Sequence, residues 1–179
     1  MKALVKSHSE KGIWLEDVPM PEVGSNDVLV KVQKTAICGT DVHIYNWDAW
    51  AKKNIPVPMT TGHEFAGVVE SVGSDVKRFK AGDKVTVPFI SACGRCSECS
   101  SGNHQVCGNQ TQPGFTHWGS FAEYVEIDFG DVNLVHLPEE IDYVTAASLG
   151  CRFATSFRAV VDQGKVSAGQ WVAVHGCGG

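Results

Sequence analysis

Short alternations of apolar and polar positions, mostly under ten residues long, fill the first two thirds of this chain, and each predicts a strand closed by turn residues. Residues 3–5 and 14–18 are brief runs, interrupted by Pro19, Pro21 and the cluster Gly24-Ser25-Asn26-Asp27. Residues 28–35 make a firmer strand, alternating from Val30 onward. Gly39 and Thr40 then turn the chain into a short helix through Tyr45. The stretch holding Trp47, Trp50, Pro56 and Pro58 reads as a loop. Residues 65–73 and 84–88 are further strands, separated by the turn chemistry of Gly73-Ser74-Asp75 and Ala81-Gly82-Asp83. Strand patterns resume at 120–126 and 132–138. After Pro138 the period changes: 143–149 and 154–161 predict two short helices with Gly150-Cys151-Arg152 between them. Residues 170–175 are apolar without polar alternation, the pattern of a strand buried on both faces. Many short strands and few helices predict a mainly β, α+β fold built on a small barrel or a strongly bent sheet.

Composition narrows the classes. The chain has 179 residues, 43% of them hydrophobic and 20% charged, which suits one domain or one domain and the start of another. The division expected is a unit over 1–150 and a helix and strand over 151–179 that lead into a second. A formal net charge of −5 offers no basic surface for a nucleic-acid partner. No apolar run approaches membrane-spanning length, and the start lacks an apolar h-region, so neither a membrane nor secretion is expected. Seven cysteines cannot all pair, and in a cytoplasmic protein, the expectation here, clustered ones read as metal ligands.

Two constellations carry chemistry. Cys93-x-x-Cys96-x-x-Cys99 with Cys107 puts four thiolates on one short polar lobe, 91–110, where four sulfurs would close a tetrahedral zinc for a structural role. His104 is an available substitute ligand, and an iron–sulfur cluster is the less favoured occupant. The second joins Cys38-Gly39-Thr40-Asp41-Val42-His43 to Gly62-His63-Glu64 and the distant Cys151. Cys38, His63 and Cys151 look like three protein ligands of one zinc, leaving a fourth position open, as a catalytic zinc requires. Taken alone, Cys151 in its apolar setting reads rather as core packing. Thr40 and His43 could carry a proton away from the metal, and Asp41 could cap the helix or hold a metal-bound histidine. The last residues, Gly176-Cys177-Gly178-Gly179, begin a G-x-G-x-x-G dinucleotide fingerprint that stops before its third glycine.

These motifs, in this order over essentially the whole chain, resemble the zinc-containing medium-chain alcohol dehydrogenase family. The resemblance implies a GroES-like β-barrel catalytic domain with a cysteine-rich zinc lobe, cut at the start of a Rossmann domain. It implies two zinc ions per chain, NAD(P) as hydride acceptor, a small-molecule alcohol substrate and a homo-oligomer. By the same resemblance Cys38, His63 and Cys151 hold the catalytic zinc, and Glu64 lies beside it as an alternating ligand. Cys93, Cys96, Cys99 and Cys107 hold the structural one. Thr40 and His43 match a proton relay, Phe89 a pocket-lining position, and Thr155, Gly176 and Gly178 cofactor contacts. Gly39 stands where some members place an arginine against the cofactor pyrophosphate. Residues 34–50 and 55–59 are similar to the L-threonine 3-dehydrogenase branch, whereas the chain from Val85 onward is more like general alcohol dehydrogenases. An inactive zinc-binding fragment is the alternative from a different class.

Overall fold

A computed structural model describes residues 1–176. Its strands form two antiparallel sheets. The smaller has the order β2–β1–β4, from β1 (Lys2–Lys6), β2 (Trp14–Asp17) and β4 (Met59–Thr60). The larger has the order β7–β3–β5–β6–β8, from β3 (Val28–Ala36), β5 (Glu64–Val72), β6 (Lys84–Thr86), β7 (Tyr124–Ile127) and β8 (Val135–His136). Residues 119–123 stitch the two together. Gly119 and Phe121 donate to Thr60 and Thr61, Leu4 donates to Phe121, and Val32 of β3 donates to Glu123. The expected barrel thus takes the form of two sheets joined through one crossing segment.

The alternation read from the sequence explains the main core. Val28, Val30, Phe65, Val69, Val85, Val125 and Ile127 turn inward from β3, β5, β6 and β7 and meet Phe79, Val87 and Leu134. A second cluster packs Ile44 and Trp47 against Ala51, Ile55 and Met59. It lies under two helices, α1 (Gly39–Asn46) and α2 (Ala49–Asn54).

Three expectations change on contact with the structure. The stretch after Trp47 is not a loop throughout: the Asp48 side chain accepts from the Ala51 N–H and caps α2, which the aromatic and proline signals obscured. Residues 132–138 are mostly not a strand. A short helix, Gly130–Asn133, precedes β8 because the Asn133 amide exchanges hydrogen bonds with both backbone groups of Ala92, taking the place of a ladder. The two helices expected around Cys151 are one nearly continuous helical path from Tyr143–Ala147 through Arg158–Gln163, whose wide turns are closed by bonds such as Gly164 N–H to Ala159 O at 2.8 Å. Residues 170–175 form no strand. Trp171 is fully exposed, since no described strand lies beside it to pair with.

Candidate metal centres

The four lobe cysteines come together from the short helix Ser97–Ser100 and the loops around it. Cys96 Sγ lies 3.5 Å from Cys99 Sγ and 3.7 Å from Cys107 Sγ, and Cys107 Sγ lies 3.5 Å from Cys93 Sγ. A disulfide would bring sulfurs to about 2.0 Å. Bonds of about 2.3 Å to one tetrahedral zinc put them about 3.8 Å apart. The spacing fits a shared cation and not a bridge. Backbone N–H groups of Cys93 and Asn109 point at Cys107 Sγ, each at 3.4 Å, and would support a thiolate. His104 sits in a separate turn, and the four-sulfur group assembles without it.

The second group gathers Cys38, His63, Glu64 and Cys151, whose ligating atoms all lie within 4.8 Å of one another. Each arrives on a different support. Cys38 caps α1, with its own N–H donating to Asp41 Oδ2 at 2.8 Å. His63 immediately precedes β5 and Glu64 opens it, and the two are buried at 2% and 0% exposure. Two glycines place these side chains. Gly62 has φ +95°, and a Cβ there would stand 2.5 Å from the Phe121 ring. Gly150 presses against β6's end: a Cβ would stand 2.2 Å from the Val87 carbonyl oxygen, so only glycine lets Cys151 approach.

The electrostatics are compatible with a bound cation. Burial pushes the Cys151 thiol up to about 12, with Cys38 and Glu64 adding to the effect. Burial also lowers His63, favouring the neutral imidazole that a metal needs. The Asp41 carboxylate, pushed up to about 6 by burial, faces His63 Nδ1 at 3.7 Å, and neither Asp41 Oδ1 nor His63 Nδ1 has a hydrogen-bond partner. Two thiols, an imidazole and a nearby carboxylate form the donor set that a borderline-soft divalent ion takes.

The remaining sequence candidates fall around this group. Thr40 lies on α1 with its hydroxyl 3.8 Å from Cys38 Sγ. His43, one turn on, is exposed and hydrogen-bonds the Asp48 carboxylate. Thr40, His63 and Cys151 line one open cleft with Trp50, Phe89 and Phe115. Phe89 stands edge-on to His63 at 6.1 Å between centroids, in keeping with its expected place. Thr155 is exposed on the helical path and lines a neighbouring groove; Gly176 is exposed with φ +79°, and Gly178 lies outside the described residues.

Sequence reasoning missed Arg152, which pairs with Glu64 through Nε at 3.2 Å and Nη2 at 3.4 Å. The signal was available: a lone charge inside the apolar run Leu149-Gly-Cys-Arg-Phe-Ala. It also missed a third cluster of His117, Glu126 and Asp128. There burial, followed by the charges of Asp128 and Asp27, pushes Glu126 up to about 8. A carboxyl raised above its unfolded value contributes fully at low pH, and stability falls as pH rises from the unfolded pKa of about 4.5 toward 8. Glu126→Gln should therefore gain on the parent over that window, by at most about 1.4 kcal/mol per pH unit. Melting curves of both proteins at pH 5 and pH 8, run in parallel, check this; an unchanged difference contradicts it.

No described helix is long and apolar enough to cross a membrane. The family model for the alcohol dehydrogenase GroES-like domain matches residues 24–139. An L-threonine 3-dehydrogenase of Rhizobium etli (strain CIAT 652) is 51% identical over 82% of this chain and 42% of its own length. One of Salmonella typhi is 52% identical over 79% of this chain and 41% of its own. Among solved structures, the alcohol dehydrogenase TADH from Thermus sp. ATN1 aligns with a TM-score of 0.83 at 31% identity, covering 92% of this chain and 48% of that one. The chain thus spans less than half the length of these relatives. With two cysteine-containing donor groups on a two-sheet scaffold and a family model over most of its length, this chain belongs to the alcohol dehydrogenase GroES-like domain family.

Proposed function

We propose that this chain is the metal- and substrate-holding part of a zinc-dependent alcohol dehydrogenase that passes hydride from a primary or secondary alcohol to NAD(P). The observation that carries the reading is the convergence of Cys38, His63 and Cys151 from three separate segments beside an open cleft. These three would hold one zinc with a position left for the substrate oxygen, and Cys93, Cys96, Cys99 and Cys107 a second with none. The bound zinc supplies Lewis acidity that brings an alcohol hydroxyl's ionisation toward neutral pH. Asp41 would fix the ring of His63 through Nδ1 and leave its other nitrogen for the metal. The Thr40 hydroxyl would take the substrate proton, and His43, at the surface, would release it to solvent. Trp50, Phe89 and Phe115 would shield the reacting carbon from water.

The nicotinamide cofactor rests on likeness: one solved relative, a zinc-binding dehydrogenase from Sinorhizobium meliloti 1021 at 34% identity, is bound to NADP. Thr155, Gly176 and Gly178 stay proposed contacts to it, and the division at residue 150 is proposed on the same ground. Cytoplasmic placement is part of the same proposal, and the unpaired thiols of both groups support it. The 51% identity to an L-threonine 3-dehydrogenase favours L-threonine as a second substrate reading.

Reduction of NAD(P) by L-threonine and by a series of simple alcohols, assayed on the longest form of the protein that contains this chain, tests both readings. His63→Ala should lower turnover at least about 100-fold. Undiminished turnover in that variant contradicts the proposed metal role.

A further inference from the structure

The three segments bearing Cys38, His63 and Cys151 share a further group. Arg152 follows Cys151 directly. Its guanidinium donates through Nε to Glu64 Oε2 at 3.2 Å and through Nη2 to Glu64 Oε1 at 3.4 Å. The same Nη2 donates to the carbonyl oxygen of Ile37 at 2.9 Å. Glu64 is the residue after His63, and Ile37 is the residue before Cys38. One side chain therefore touches the immediate neighbour of each of the other two ligand positions.

The chemistry of the contact is specific. Glu64 is fully buried, and a buried carboxyl group needs partners for its oxygens, which the fork of Arg152 supplies. Two parallel bonds to one carboxylate and a further bond to a carbonyl use the planar spread of a guanidinium; a lysine ammonium is a point donor and cannot reproduce them. Both oxygens of Glu64 are also engaged by the fork, which holds the carboxylate within the donor group yet occupied elsewhere.

We propose that Arg152 is a positioning residue: a clasp that closes the three ligand segments into one metal site and keeps Glu64 engaged, so that the fourth position stays open. This rests on the metal reading of Cys38, His63 and Cys151. A clasp differs from a simple counter-ion. If Arg152 only neutralised Glu64, removing both charges together would leave the site as firm as before. A clasp also anchors Ile37, and that anchor is lost whether or not Glu64 is neutral.

Cobalt(II) loaded into the chain reports on both sites through its thiolate absorption bands, and a chelator then reads how fast each ion leaves. The unmodified chain should take up two equivalents, one leaving quickly and one slowly. Arg152→Gln and Arg152→Gln/Glu64→Gln should each release the fast equivalent at least about tenfold faster, with the slow equivalent unchanged. Arg152→Lys should fall between, and Arg158→Gln, on an exposed pair with Asp162, should match the parent. Because Arg152→Gln leaves a buried carboxylate unpaired, the double variant is decisive. The slow equivalent shows that its fold is retained. Parental release from the double variant overturns the clasp alone, whereas uptake of a single equivalent by the unmodified chain overturns the metal reading and the clasp together.

Discussion

Exchanging Cys99 for serine will lower the melting temperature of the metal-loaded chain by roughly 6–12 °C, corresponding to a loss of about 3 kcal/mol. Cys99 is buried, with its sulfur 3.5 Å from that of Cys96, and the lobe's small core is the four cysteines with Ala92 and Phe129. Zinc in a closed thiolate site supplies about 10–16 kcal/mol to a small fold, and losing one of four ligands forfeits a substantial part. A hydroxyl is a poor substitute because zinc prefers the deprotonated sulfur, whereas a serine oxygen keeps its proton near neutral pH. Scanning calorimetry before and after chelation checks the account. The parent should drop on chelation and the variant should drop much less. A variant that melts within about 2 °C of the parent contradicts it.

Replacing Gly62 by alanine will cost about 2–6 kcal/mol and disturb His63 as well. The backbone stands at φ +95°, a conformation that costs a side-chain-bearing residue about 1–3 kcal/mol. The new Cβ would also lie 2.5 Å from the Phe121 ring and 2.7 Å from its backbone nitrogen. Phe121 belongs to the crossing segment that joins the two sheets, so it cannot retreat without loosening Leu4 and Thr61. Overpacking of this kind adds about 1–3 kcal/mol. Urea unfolding of parent and variant measures the loss, and a difference under 1 kcal/mol would show that the crossing yields more easily than its hydrogen bonds imply.

Much of this was legible in the chain. Alternation placed β1, β2, β3, β5 and β6, because strands with one buried face write period two into the sequence. The motif residues that the spacing singled out do converge, since Cys38 lies just beyond the end of β3 and His63 just before the start of β5, and these strands pair down to Ala36 and Glu64. What stayed hidden depends on contacts distant in sequence. Asn133 gives up a strand for backbone groups forty-one residues away at Ala92. Arg152 finds Glu64 eighty-eight residues back. His117, Glu126 and Asp128 meet without any short motif to announce them. The run 170–175 has an apolar pattern that calls for neighbouring strands on both sides; the described residues provide none, and it stays unpaired.

Two metal sites of unlike openness carry the proposed chemistry. Elemental analysis by plasma mass spectrometry, on protein purified under reducing conditions and then dialysed against a mild chelator, measures both at once. Two zinc ions per chain before dialysis and one after, the survivor lost on mutation of Cys99, is the predicted result. No zinc in freshly prepared protein, or a disulfide at Cys93, would contradict it.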